Sequence, residues 1–231
     1  MTNATVVKIG GALLENPEAA VEKIIEQKSD RLAVVHGGGV QITRMMERMN
    51  VKSEFIDGLR VTDDVALRAV AAALMGEVHT ALVLALQSAG IPAVGVFGVV
   101  QAEKKAGPWG LVGTNVKADR KSLDSILNAG QVPVIPTLAV GSTSLFNVNG
   151  DETAAGVAIA LQAERLVFLT DVEGVLDANG NLIERVPPEV SLLDASFVTG
   201  GMKPKLRAVA AALAGGVSRV SVGRTVFGAV R

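Results

Sequence analysis

Short, uninterrupted apolar runs recur along this 231-residue chain, each followed by a break and then by a helix-spaced pattern. TVVKI at 5–9, LAVV at 32–35, 91–97, VPVI at 132–135 and RLVFL at 165–169 are runs of this kind. Helical spacing follows at 17–27, up to about residue 50, and at 63–88, 119–128, 151–162 and 201–214. A strand that is apolar at every position has to be covered on both faces, and strands alternating with helices predict an α/β fold with a mostly parallel sheet. Thr62 is the expected N-cap of the long helix over 63–88. Glycine-rich 98–117 reads as a hairpin lobe or flap, 174–186 as a hairpin around ANGN, and 144–148, 217–222 and 225–230 as further strands. A soft boundary falls at 137–143 (TLAVGST), between an N-terminal half (about 1–140) and a C-terminal half (about 141–231).

The strand at 32–35 runs through His36 into Gly37, Gly38 and Gly39 and then directly into a helix. Consecutive glycines cost backbone entropy, so they need a reason. One reason is a tight strand-to-helix turn; the other is a set of bare amides aimed at an anion.

Composition narrows the chemistry. A hydrophobic fraction of 49% argues against disorder, while no cysteine means no disulfide and no thiolate. A net charge of −1 and 3% aromatics offer nucleic acid neither field nor stacking surface. Two histidines without cysteine make a structural zinc site improbable. The longest apolar candidate, 65–91, is interrupted by Arg68, Glu77, His79 and Gln87, so no bilayer span is expected. Without a secretion signal in MTNATVVKIGG, the expectation is a cytoplasmic protein with no membrane partner.

Neither a G-x-x-x-x-G-K-[ST] loop nor a G-x-G-x-x-G turn is present, so any nucleotide site is built differently. Four places carry chemistry: Lys8 before Gly10 and Gly11; the HGGG turn; Asn147, Asn149 and Asp151 ahead of a helix; and Lys203 and Lys205 at another helix start. Each has a plain reading: a snorkelling lysine, turn-forming asparagines, an aspartate N-cap, surface charge. Their coincidence after candidate sheet strands favours a site, because ligands gather at the carboxyl ends of strands in open α/β sheets. Amides, lysines and one carboxylate suit phosphoryl transfer to a carboxylate, an acceptor already anionic at neutral pH that needs no general base.

VVKIGGALL, VVHGGGVQI, DGLRVTD, FNVNGDETAAGVA, LTDVEGVLD and GGMKPKLRAV occur in the order and spacing of the amino-acid kinase family, over about residues 4–222. The resemblance implies a three-layer αβα sandwich with a mostly parallel central sheet. It also implies ATP with Mg²⁺ and, from GLRVTD with NVNGD, N-acetyl-L-glutamate as acceptor. By position, Lys8 and Lys205 would contact the transferring phosphoryl group and Asp151 would organise both. The amides of Gly38 and Gly39 would bind the acceptor, so that a Cβ at either would intrude or force the wrong backbone angles. Arg60 and Asn147 would hold its α-carboxylate and acetamido group; arginine's fork also suits a carboxylate on physical grounds. Gly10 and Gly11, the turn Asp171, Val172, Glu173, Gly174, Val175 and Leu176, and its neighbours Phe197, Val198 and Thr199 would bind ATP. The N-terminal half would take the acceptor and the C-terminal half the nucleotide.

The chain departs from the family pattern in two places. GEVHTALV carries His79 and Thr80 where the family usually has Asn-Lys, and the chain after VSRVSVG is short. It also starts four residues before its first strand, too short for the N-terminal helix that interlaces arginine-inhibited members into hexamers. A homodimer not inhibited by arginine is therefore expected. His36 reads as structural. Three alternatives stay open: a kinase of an aminoadipate derivative, a non-catalytic amino-acid-binding regulatory domain and, disfavoured by the missing fingerprint, a dinucleotide oxidoreductase.

Overall fold

The apolar runs become the inner strands of one sheet. In a computed structural model, residues 4–27, 29–187, 190–193 and 195–228 are described. The chain runs β1 (Ala4–Ile9), α1 (Pro17–Ile25), β2 (Arg31–His36) and α2 (Gly39–Arg48). A small hairpin, β3 (Phe55–Ile56) and β4 (Leu59–Arg60), leads into α3 (Asp64–Ala71), a π-helical stretch Ala72–His79 and α4 (Thr80–Ser88). Next come β5 (Ala93–Gly95), β6 (Val100–Lys104), β7 (Val112–Ala118), α5 (Arg120–Asn128), β8 (Val132–Pro136), β9 (Leu138–Val140) and β10 (Leu145–Val148). The last part holds α6 (Gly150–Leu161), β11 (Arg165–Leu169), β12 (Arg185–Val186), α7 (Met202–Ala214), β13 (Arg219–Val222) and β14 (Thr225–Gly228).

Eight strands pair in the order β12-β14-β13-β11-β1-β2-β8-β5. Every pairing in it is parallel except β13–β14. Side chains alternate between two covered faces. Val6, Val35, Ile135, Leu166 and Phe168 pack with Leu123 and Leu127 of α5, Val157 of α6 and Leu206 and Val209 of α7. Val7, Ile9, Val34, Val134 and Val167 face Val21 and Ile24 of α1 and Leu82 and Leu86 of α4. The result is the three-layer αβα sandwich. β1, between β2 and β11, joins the two halves of the chain in one sheet across the soft boundary.

The parallel strands β1, β2, β8 and β11 end on the same edge of the sheet, where their following loops converge. Beside that edge, β6 and β7 form the expected hairpin over 98–117, and close into a four-stranded unit with β9 and β10.

Several local expectations shift. Asp63, not Thr62, caps α3, accepting from the Ala66 amide at 2.7 Å; the Thr62 hydroxyl instead donates to Arg60 O at 2.8 Å. The strand expected at 91–97 shortens to Ala93–Gly95, with Pro92 immediately before it. The Asp64–Ser88 helix has the length and apolarity to cross a bilayer, contrary to the reading of its polar interruptions. Its Val70, Leu74, Val78, Leu82 and Leu86 are buried against α2 and the sheet. The Leu176–Leu182 bridge supports the ANGN hairpin, and residues 229–230 of the last expected strand lie outside those described.

Candidate active site

At the converging loops, three side chains from distant parts of the sequence meet. Lys8 leaves β1 one residue before its end, Asp151 sits in the first turn of α6, and Lys205 in the first turn of α7. Asn149 is the residue that caps α6, accepting from the Asp151 and Glu152 amides at 2.9 and 3.1 Å. That leaves the Asp151 carboxylate to accept from Lys8 Nζ at 2.8 Å and from Lys205 Nζ at 3.1 and 3.0 Å. All three side chains are between 8% and 13% exposed, so the charges interact with little screening. Burial pushes the Asp151 carboxyl up, but the two ammonium groups outweigh it and hold the carboxyl below the usual carboxylate range. Burial in turn pushes Lys205 below the usual lysine range, against the pull of Asp151. Lys205 also lies 5.0 Å over the Phe168 ring. Two ammonium groups around one carboxylate leave a net positive charge at the sheet edge.

This cluster stands between two cavities. The smaller, about 210 Å³, is walled by Gly37, Gly38 and Gly39, the β3–β4 hairpin with Arg60, and Asn147 to Gly150. The Gly37 amide is taken by Ile9 O at 3.1 Å; the amides of Gly38 and Gly39 have no protein acceptor among the described residues. Arg60 is 7% exposed and has no ion pair among the described residues. It donates to Ser53, Thr43 Oγ1 (2.8 Å) and Gly39 O (3.2 Å), and stacks 4.6 Å over Phe55. A buried guanidinium held only by neutral acceptors is ready for an anion. Asn147 donates to Thr62 Oγ1 at 3.1 Å, which leaves its carbonyl oxygen free to accept. The expectation that a Cβ intrudes at either glycine needs correcting at Gly39, whereas at Gly38 the Cβ does intrude, on the packing behind the turn. The Gly38 φ of −179° is extended, and a Cβ there would meet Leu74 and Val78 at 3.0 and 3.1 Å. A Cβ at Gly39 meets nothing within 4 Å.

The larger cavity, about 480 Å³, shares Lys8, Gly10 and Gly11 with the first and adds Asp171, Val172, Thr199, Gly201 and Lys205. The rest of the expected nucleotide turn faces elsewhere. Val175 and Val198 are each 2% exposed and belong to the core. Leu182 and Thr225 fill the space beside Gly174, and Glu173 pairs with Arg224. Leu176 bridges to Leu182, and Phe197 packs partly against the core. These six residues do not line this cavity. Sequence reasoning passed over Gly150, whose Cβ would stand 3.0 Å from Lys8 Cε, and Thr137 beside it. The N-G-D order at 149–151 was the available signal.

Behind the glycine turn, His36 Nε2 and His79 Nδ1 are 2.9 Å apart. His36 Nδ1 lies 3.0 Å from Gly37 O, which can only accept; Nδ1 therefore carries the proton, and His79 Nδ1 donates to His36 Nε2. Burial lowers His36 to about 3 and lowers His79 as well. Gly95 admits the His79 ring, where a Cβ would overlap it. Sequence gave no sign of this contact, because it joins residues 43 apart.

The sequence matches the amino acid kinase family over residues 3–224. It is 37% identical to an acetylglutamate kinase of Endomicrobium trichonymphae, covering 99% of this chain and 96% of that one. It is 42% identical to an acetylglutamate kinase of Acidobacterium capsulatum, covering 94% and 89%. Its fold superposes on smu.665 of Streptococcus mutans UA159 with a TM-score of 0.89 at 30% identity, over all of both chains. With this match and this geometry, the chain belongs to the amino acid kinase family.

Proposed function

We propose that the chain transfers the terminal phosphoryl group of ATP to the side-chain carboxylate of N-acetyl-L-glutamate, yielding N-acetyl-L-glutamyl 5-phosphate and ADP in arginine biosynthesis. The Lys8–Asp151–Lys205 cluster at the junction of two cavities carries this reading, with relatives named acetylglutamate kinase behind it. The smaller cavity takes the acceptor. There Arg60 forks the α-carboxylate, Asn147 binds the acetamido group, and the Gly38 and Gly39 amides face the reacting end. The larger cavity takes the nucleotide against Gly10, Gly11, Asp171, Val172 and Thr199. Residues 1–140 supply most of the acceptor side, with Asn147 to Gly150 added from beyond, and 141–231 most of the nucleotide side.

The acceptor oxygen bonds to phosphorus as the bond to the bridging oxygen of ADP breaks. No proton has to be removed, so what remains is to hold two anions in line. Lys8, on both cavity walls, and Lys205 stabilise charge on the phosphoryl oxygens, while Asp151 fixes both ammonium groups in place before substrate arrives. Among the described residues no cluster of three acidic or imidazole side chains forms a metal cage. Asp171 on the nucleotide wall could help hold Mg²⁺ carried in with the nucleotide, which would supply neutralisation of phosphate charge. The reading includes a cytoplasmic homodimer without nucleic-acid or membrane partners, for whose twofold contact the exposed Val65 and Leu84 of the long helix offer apolar surface.

Trapping the acyl phosphate with hydroxylamine tests the reading across N-acetylglutamate, glutamate, aspartate and aminoadipate derivatives. Product with N-acetylglutamate above all others is expected. Preference for an aminoadipate derivative, or no product with any acceptor, overturns it.

A further inference from the structure

We infer that Trp109 is a positioning residue for the acceptor side: its indole seats the β3–β4 hairpin, and with it Arg60, over the acceptor cavity. The inference rests on the acceptor reading above. The hairpin is only two residue pairs long, with Asp57 and Gly58 at φ of 51° and 78° in its turn, and Phe55 is 58% exposed. So small a ribbon is not stable on its own. The Arg60 side chain ties it to α2 through Gly39 O, Thr43 and Met46. Those same donors must turn toward a bound carboxylate, so the hairpin needs an anchor that substrate does not touch.

Trp109 supplies one. It does not line the cavity, and its Nε1–H donates to Ile56 O, at the hairpin tip, at 3.1 Å. The main chain on either side is pinned to the exit of β4: Thr62 N donates to Trp109 O at 3.0 Å and Leu111 N to Thr62 O at 2.6 Å. The turn before β7 is shaped around the ring. Gly107 and Gly110 have φ of 122° and 72°; a Cβ at the first would overlap the indole and at the second the Thr62 carbonyl. The Lys105 ammonium covers the ring at 4.6 Å. Val112, three residues on, stands on the cavity wall, so the anchor and the wall share one short segment.

Trp109 is the only tryptophan of the chain, so replacing tryptophan throughout alters one site. The test compares wild type with Trp109→Phe and with protein in which benzothienylalanine, sulfur in place of N–H, replaces the indole. The second variant keeps the ring's shape should the first fail to fold. We measure KM for N-acetylglutamate and for ATP, kcat, and hydrogen exchange of residues 55–60 without substrate. Loss of one neutral hydrogen bond should raise the acceptor KM about fivefold, leave kcat and the ATP KM within about twofold, and speed hairpin exchange. An unchanged acceptor KM, an equal rise in both KM values, or a rise without faster exchange each overturns the inference. Should wild type not phosphorylate N-acetylglutamate at all, the functional reading fails instead. The substrate-free exchange rates then decide alone whether Trp109 seats the hairpin.

Discussion

Two buried polar clusters flank the Gly37–Gly39 turn, and they treat charge in opposite ways. Lys8, Asp151 and Lys205 form an ion-paired cluster, each lysine Nζ within 3.1 Å of the shared carboxylate. His36 and His79 stay neutral, joined by one hydrogen bond, with His36 lowered to about 3. Both join elements far apart in sequence. What differs is what lies beside them. The lysine cluster borders two cavities, whereas His36 is wholly buried between the turn, the π-helical stretch and β5. Desolvating a charge is costly; on the proposed reading it is retained where an incoming anion would use it and excluded where it would only strain the scaffold.

The strongest way to break that contrast is to unbalance the charged cluster. Asp151→Ala leaves two buried ammonium groups facing each other, and both stability and kcat should fall, kcat by more than in either lysine variant. Lys8→Ala or Lys205→Ala should lower kcat by about 10²–10³ with a smaller change in the ATP KM. Initial rates at saturating substrates, normalised to folded protein, check this. Near-wild-type kcat in both lysine variants would remove the cluster from the chemistry.

Arg60 sharpens the contrast, being a third buried cationic site with no carboxylate of its own among the described residues. Arg60→Lys keeps the charge and loses the fork, so the acceptor KM should rise about tenfold or more with the ATP KM unchanged. A rise confined to the ATP KM would put Arg60 on the other substrate.

How legible each cluster was follows from its geometry. Lys8, Asp151 and Lys205 each sit at a local boundary, a strand end or a helix start, that apolar spacing marks in the sequence. That they meet is a consequence of strand order, which alternation of strand and helix constrains but does not specify. The His36–His79 contact depends on the π-helical stretch turning residue 79 inward and on Gly95 leaving room. Neither leaves a periodic trace. The expected nucleotide turn divides differently. Asp171 and Val172 reach the cavity, while Val175 turns into the core because its amide donates to Thr225 Oγ1 at 2.8 Å. A loop's inward and outward residues follow such tertiary bonds, not spacing.

The neutral cluster makes its own prediction about pH. Unfolded His36 would titrate near 6.5, and folded His36 near 3. Between those values the unfolded chain binds more protons, so stability is fully present above pH 6.5 and declines as pH falls toward 3. From this residue alone the loss approaches about 1.4 kcal/mol per pH unit, and is about 1.4 kcal/mol at pH 5.5. His79, lowered in the same direction, adds to it. Urea midpoints between pH 8 and 5.5 measure this, with His36→Asn as the flattened control. Equal slopes for both proteins would mean His36 is charged when folded.

The smallest effects separate the two explanations of the glycines. Gly38 and Gly39 are neighbours on the same turn, yet a methyl group added to each meets different surroundings. At Gly38 it presses on Leu74 and Val78, which belong to the packing behind the turn. Gly38→Ala should cost about 1 kcal/mol of stability, as overpacking does, and leave activity per folded molecule nearly intact. At Gly39, the first residue of α2, it meets nothing, and the residue stands on the acceptor wall. Gly39→Ala should keep or slightly raise stability, since alanine favours helix, and weaken acceptor binding several-fold by narrowing the cavity beside the free amides. Thermal midpoints paired with acceptor KM values for the two variants decide it. If Gly38→Ala raises the acceptor KM and Gly39→Ala does not, the amide nearest the substrate belongs to Gly38. The side of the turn that packs on Leu74 and Val78 would then also be the side that touches the anion.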